Sequence, residues 1–373
     1  MIPRFCIGAT ETPMLANEFS HHMIKEIFEE PNVVQRTIEE ERDRTRKIAQ
    51  EIRSSGYDMI YITGSGTSYH AGLASQYALS NLTNLVTSII PASEFQRWVP
   101  AKIPRKVLLM AISQSGESSD AIEAAEAALG RGMSLLAVTN TPGSRLAEMS
   151  HYCLLPKSGK ELAIPATKTY VTQLMSISML AVELARETVN PEELARIRDG
   201  LYGAPKSLKE VLQSLNGRIR DIAERYRHMN LLFLLGGGPN YATALEGALK
   251  LKETCTIFAE GFATREFLHG PMRLVDERTL VIMMVPPDET DVYLSLGSSL
   301  RNFGAPVIMI SEEWGGSDML GGSSDEAILL PPGLPKVFSP ILYIIPLQLF
   351  AYHSAVSRGL NPDRPEKITK VVR

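Results

Sequence analysis

Cysteine is scarce in this chain. Cys6, Cys153 and Cys255 are widely spaced and never form a C-x-x-C pair, which excludes a disulfide framework or a zinc knuckle and fits a reducing cytoplasm. Excess charge is missing as well. A formal net charge of −4 and a pI near 6.0 leave no electrostatic footprint for nucleic acid or anionic lipid, so an anionic ligand must be held by local groups. Long apolar runs are also absent. The longest, "FSPILYIIPLQLFAY" from Phe338, is shorter than a bilayer requires and carries Pro340 and Pro346, so it reads as a buried helix. The first twenty residues lack the charged-then-apolar order of a signal peptide. Neither nucleic acid nor membrane is expected as a partner, and the expected location is cytoplasmic.

What is present is a globular composition, 44% hydrophobic and 21% charged, in 373 residues, enough for two domains of ordinary size. A charged helical lead, "IEEERDRTRKIAQEIRSS", precedes the apolar runs "MIYIT", "LVTSII", "KVLLMAI", "SLLAVT" and "HYCLL", which alternate with amphipathic stretches. That alternation predicts a parallel sheet flanked by helices. "TYVTQLMSISMLAVELARE" reads as a long core helix and "NPEELARIRDGLYGAPKSLKEVLQS" as a helical connection. A second α/β series follows, with "NLLFLL", "TLVIMMV", "PVIMI" and "EAILL". The expected division is a helical lead over 1–45, a first domain over 46–200, a second over 201–360 and a tail over 361–373. At an offset of 172 residues the halves overlay, with Gly64 on Gly236 and Tyr69 on Tyr241, so both read as copies of one module.

The copies differ in their hydroxyls. The first has "GSGTS" (Gly64 to Ser68) and "SQSGES" (Ser113 to Ser118), each between an apolar run and a helical stretch; the second has "GGGPN" and "VPPDE", whose prolines cannot donate an N–H. A dinucleotide fingerprint would want a glycine where Tyr69 stands. A small phosphate monoester, held by hydroxyls and helix N-terminal N–H groups, fits the first copy better. Ser68, Thr67, Ser113, Gln114, Ser115 and Ser118 are the candidate phosphate ligands. An ordinary N-cap would account for Ser118 but not for the three polar residues preceding Gly116.

"NYATALEGALKLKETC" places Glu246, Lys250 and Glu253 at i, i+4 and i+7, on one face of a helix. Such a face is often only a solvated ion pair. This helix, however, begins at the loop equivalent to the phosphate loop, at the carboxyl end of a strand, where open α/β sheets bind ligands and a carboxylate facing a sugar can act as a general base. His269 immediately precedes Gly270-Pro271, a helix stop, so its imidazole is expected on a loop. His353, inside an apolar helix, is expected to be a hydrogen-bonded core histidine.

Together, "GSGTS", "SQSGES", "ALEGALKLKE", "EFLHGP", "IPLQLFAYH" and the lysine tail "PEKITKVVR" resemble the sugar-isomerase (SIS) superfamily, and within it the two-SIS isomerase half of the glucosamine-6-phosphate synthases. The resemblance runs from about His21 to the last residue. It implies an α/β fold of two tandem SIS domains, each a three-layer α/β/α parallel sheet. It also implies that Ser68, Ser113, Gln114, Ser115 and Ser118 hold a sugar phosphate, the last being a threonine in the synthase pattern. Glu253 would transfer a proton between C1 and C2, with Glu246 and Lys250 beside it. His269 would open the sugar ring from the neighbouring subunit of a homodimer with shared active sites. Lys370, five residues after Pro365, matches the tail lysine that aids ring opening and can form an imine with the ketose.

Two departures from the pattern bear on the reaction. About twenty residues precede the resemblance, in place of a glutaminase domain, so the nitrogen source is expected to be free ammonia or a separate glutaminase. "IPAT" also replaces the usual "VAST" before Lys168, which bears on the sugar pocket. The reading is therefore an amino-sugar phosphate isomerase or deaminase that interconverts glucosamine 6-phosphate and fructose 6-phosphate, with neither metal nor cofactor. The alternatives are the synthetic direction with a glutaminase partner, a ketosamine-6-phosphate deglycase, and a sensor that binds without turnover. The sensor fits least, because Glu253, His269 and Lys370 are all present and no basic helix-turn-helix segment is.

Overall fold

A computed structural model of the chain describes residues 19–103, 105–312 and 322–370. The first half runs α1 (His22–Ser55), β1 (Met59–Gly64), α2 (Thr67–Leu82), β2 (Val86–Pro91), α3 (Phe95–Trp98), β3 (Val107–Ile112), α4 (Ser119–Gly130), β4 (Ser134–Val138), α5 (Arg145–Glu148), β5 (Tyr152–Leu154) and α6 (Lys168–Leu184). α7 (Pro191–Tyr202) and α8 (Ala204–Arg225) connect it to the second half. That half runs β6 (Leu231–Gly236), α9 (Asn240–Cys255), β7 (Phe258–Ala263), β8 (Thr279–Val285), α10 (Thr290–Asn302), β9 (Val307–Glu312), β10 (Glu326–Leu330) and α11 (Pro340–Ser357). The sheets are parallel throughout, ordered β2-β1-β3-β4-β5 and β10-β9-β8-β6-β7. Position by position these are the same order. β1 and β6, β2 and β7, and β3 and β8 each start 172 residues apart, so the internal repeat is a structural one.

Parallel strands covered on both faces need continuous apolar sequence, and "VLLMAI" and "TLVIMMV" are buried at every position. β7 was not among the predicted strands. Its sequence "FAEGFA" is broken by Glu260 and Gly261 and starts at the exposed Phe258, as an edge strand tolerates. Gly261 is required by packing, since a Cβ there would lie 2.6 Å from backbone atoms of α9.

One apolar core lies between the inner faces of the two sheets. It is filled by α1, α2, α6, α8, α9 and α11, while smaller cores around Phe95 and Leu135, and around Tyr293 and Met283, cover the outer faces. α6 is buried along all seventeen residues, as its apolar sequence predicts. α11 is longer than expected. Within Lys336–Ser357 an 18-residue part with mean hydropathy 1.2 has the length and composition to cross a bilayer, yet 89% of that part is buried inside the protein. α1 runs unbroken past residue 46, so the expected junction between lead and first domain falls inside a helix. Cys153 and Cys255 are free thiols, and Cys6 lies outside the described residues.

Candidate active site

The carboxyl ends of β1 and β3 open into a cavity of about 440 Å³ lined by Thr67, Ser68, Ser113, Gln114, Ser115 and Ser118, all six of the predicted phosphate ligands. Gly116 makes this loop possible. Its φ is +67°, and a Cβ would lie 2.0 Å from Ser144 Oγ. Ser118 is the N-cap of α4, but its hydroxyl makes no capping bond and stays available to a ligand. Ser68 Oγ accepts from Gln173 Nε2 at 3.1 Å, which aims it from α6. The N-termini of α2 and α4 converge on this end, and their unpaired N–H groups and dipoles favour an anion.

Thr67 departs from the expected role. Its hydroxyl donates to Glu246 Oε1 at 2.9 Å and accepts from Lys250 Nζ at 3.1 Å, so it bridges to α9. Glu246 and Lys250 are 1% and 0% exposed, which removes the solvated-face reading. Neither lines the cavity. Lys250 Nζ lies 3.3 Å from Glu246 Oε1 and 2.6 Å from Glu253 Oε2, and His70 Nδ1 lies 2.7 Å from Glu246 Oε2. Burial alone would raise the Glu246 carboxyl, but the Lys250 charge and the bonds from His70 and Thr67 bring it below its ordinary value. Burial would likewise lower the Lys250 amine, yet Glu246 and Glu253 hold it well above its ordinary value. Lys250 is thus a fixed cation and Glu246 a fixed anion. Glu253 alone of the three reaches the cavity, and Lys250 ties it to the buried Glu246.

The tail brings Lys367 and Lys370 into the same cavity. Lys370 Nζ donates to Glu161 Oε2 and to the carbonyl of Ala163, each at 2.7 Å. His269 is not part of this assembly. It is exposed at the end of the 3-10 turn Glu266–His269, which the buried Phe267 anchors, and is not among the residues lining the cavity. His353 Nε2 donates to Asn216 Oδ1 at 2.8 Å, and burial with nearby Arg220 pushes its pKa down to about 4, in keeping with a neutral structural histidine. His70, Gln173 and Glu161 were not singled out from sequence. Thr67 and His70, three residues apart at the start of a helix, share a face, which was the available signal for His70. Neither periodicity nor spacing marks the other two.

The SIS domain model matches residues 51–183 and 226–358. The chain belongs to the SIS domain family. It is 36% identical to the glutamine–fructose-6-phosphate aminotransferase (isomerizing) of Thermococcus kodakarensis over 357 residues, and 37% identical to the protein so named in Methanothermobacter thermautotrophicus over 355. Either match takes in 95% of this chain and 58% of the relative's length. The structure superposes with a TM-score of 0.86 on the C-terminal domain of glucosamine-fructose-6-phosphate aminotransferase from Francisella tularensis, at 28% identity, covering 94% of this chain and all of that one. A glucosamine-6-phosphate deaminase from Thermotoga maritima shares the fold, with a TM-score of 0.72 at 24% identity over 94% of this chain and 99% of that one.

Proposed function

We propose that this SIS protein is an aldose–ketose isomerase of amino-sugar phosphates that converts glucosamine 6-phosphate and water to fructose 6-phosphate and ammonia, or runs the reverse. One observation carries the reading: hydroxyl loops suited to a phosphate, a carboxylate and a lysine tail face one cavity of about 440 Å³, the size of a hexose phosphate site. The relatives' names, which join fructose 6-phosphate to amino transfer, supply the substrate class.

Ser68, Ser113, Gln114, Ser115 and Ser118 hold the phosphate at the helix N-termini. Once the ring is open, Glu253 takes the proton from C2 of the amino aldose, leaving an enolamine, and returns it to C1. The resulting ketimine adds water at C2 and expels ammonia, which balances the reaction. Lys250, charged and buried, holds Glu253 in place throughout. His269 serves the neighbouring subunit's site in a homodimer, which accounts for its distance from the cavity of its own chain. The chain spans 58% of the relatives it matches, and the synthetic direction would draw ammonia from a glutaminase. The test is incubation with glucosamine 6-phosphate, measuring ammonia and fructose 6-phosphate. Stoichiometric appearance of both is expected. Tight binding without turnover in either direction would leave a sensor.

A further inference from the structure

The segment 160–167 touches the tail at two points. Ile164 N donates to Asp363 O at 2.9 Å, and Asp363's carboxylate in turn caps α1 by accepting from the N–H groups of His22 and Met23 at 2.8 and 2.7 Å. Seven residues later, Lys370 Nζ reaches Glu161 at 2.7 Å, Ala163 O at 2.7 Å and Ile164 O at 3.4 Å, three acceptors for three ammonium protons. Between these points the tail passes over the cavity, and Lys367 adopts a φ of +68°, a conformation a lysine keeps only where its surroundings impose it. Glu161 is buried and is itself fixed by the backbone N–H groups of Thr167 and Thr169 at 2.9 and 3.1 Å.

We infer that Glu161 is a positioning residue for the reaction: its carboxylate latches the tail across the cavity and fixes the place of the Lys370 nitrogen. Resting on the proposed role of Lys370 in ring opening, this assigns Glu161 an action through the tail lysine and not on the sugar. Burial alone would raise the Glu161 carboxyl, but the Lys370 charge and the three hydrogen bonds bring it below its ordinary value, so the carboxylate stays ionised to serve the latch. In the latched state the nitrogen offers no free lone pair. With its three protons engaged it acts on the sugar as a fixed positive charge, and both proton donation to the ring oxygen and imine formation require the latch to open.

The latch can be read in the unmodified full-length chain by limiting acetylation with acetic anhydride and mass spectrometry. Lys370 should label about tenfold more slowly than the exposed Lys367, because its nitrogen is engaged by three acceptors and must leave them before it can attack. Glu161→Gln, which keeps an acceptor for the Thr167 and Thr169 N–H groups, should abolish that protection. Equal labelling of the two lysines in the unmodified chain would overturn the latch. For catalysis, Glu161→Gln should lower kcat by about 10²-fold while KM for glucosamine 6-phosphate changes far less. Added to Lys370→Met, the same change should alter kcat by less than about twofold, the mark of a residue acting through another. Equal losses in both backgrounds would make Glu161 merely structural. An unchanged kcat in Lys370→Met alone would instead overturn the role of Lys370 in the proposed reaction, leaving the labelling to decide the latch.

Discussion

The two halves share strand order and a 172-residue repeat, yet the same strand ends carry different side chains: the first copy opens into a cavity lined by hydroxyls, the second into one of about 510 Å³ lined by Pro287, Asp288, Glu289 and Glu312 among others. At that offset Asn240 stands where Ser68 does, and it is buried, donating to Ser339 Oγ at 3.1 Å. Val285, Pro286 and Pro287 replace Ser113, Gln114 and Ser115. Tyr293 replaces Ala121, its ring buried and its hydroxyl 2.7 Å from Thr264 Oγ1. The exchange runs the other way on the paired helices. Glu246, Lys250 and Glu253 on α9 correspond to Ala74, Ala78 and Asn81 on α2. The first copy therefore contributes the hydroxyl-lined loops and the second a buried charge array. α2 and α9 pack together so that Thr67 and His70 of one copy fix Glu246 of the other.

The largest effect expected from breaking this division is at Glu253. Glu253→Gln keeps size and most packing but removes the base, so kcat should fall by roughly 10²–10⁴-fold with little change in KM. A surface ion pair would instead leave turnover near normal, and kcat within threefold of the unmodified chain would exclude the shuttle. Next is the sharing of sites between subunits. Mixing His269→Ala chains with Glu253→Gln chains should restore about a quarter of full activity, since half of randomly paired dimers are hybrids with one intact site of two. No recovery despite demonstrated subunit exchange would place both residues in one chain's site.

A smaller effect lies under the latch. Glu26 accepts from the N–H groups of Leu162 and Ala163, and burial raises its pKa to about 7 in spite of those bonds; burial also pushes Glu30 well above its ordinary value. A carboxyl raised on folding binds more protons folded than unfolded, so stability falls as pH rises from about 4.5 through about 7. For Glu26 alone the loss is on the order of 3 kcal/mol. Melting curves of Glu26→Gln should be flatter over that range and lie above those of the unmodified chain at pH 8. An unchanged pH slope would refute the assignment. The smallest effect belongs to the second copy. Tyr293→Phe should cost about 1–3 kcal/mol by stranding the Thr264 hydroxyl, with kcat and KM unchanged. Altered substrate KM would mean that the second copy also meets the ligand.

Most of this architecture was legible because its causes are local and periodic. Nine strands were apolar runs between turn residues, and six cavity-lining residues sat in two quoted loops. β7 escaped notice because Glu260 and Gly261 break its run, although shifting β2 by the repeat would have placed it. The i, i+4, i+7 spacing brought Glu246, Lys250 and Glu253 together but could not show that two of them are wholly buried and only Glu253 reaches the cavity. Partners such as Gln173 for Ser68 and Glu161 for Lys370 lie 105 and 209 residues away, and no local pattern encodes pairings that only tertiary packing creates.

The claim that one copy binds and the other does not is tested most directly by counting hexose phosphate sites. Calorimetric titration with fructose 6-phosphate should give one site per chain. Changing Ser113 and Ser115 together to Ala should weaken it by at least about tenfold, since a hydrogen bond to a charged group is worth roughly 1.5–3 kcal/mol. Two sites per chain, or one whose affinity is untouched by the double change, would contradict the account.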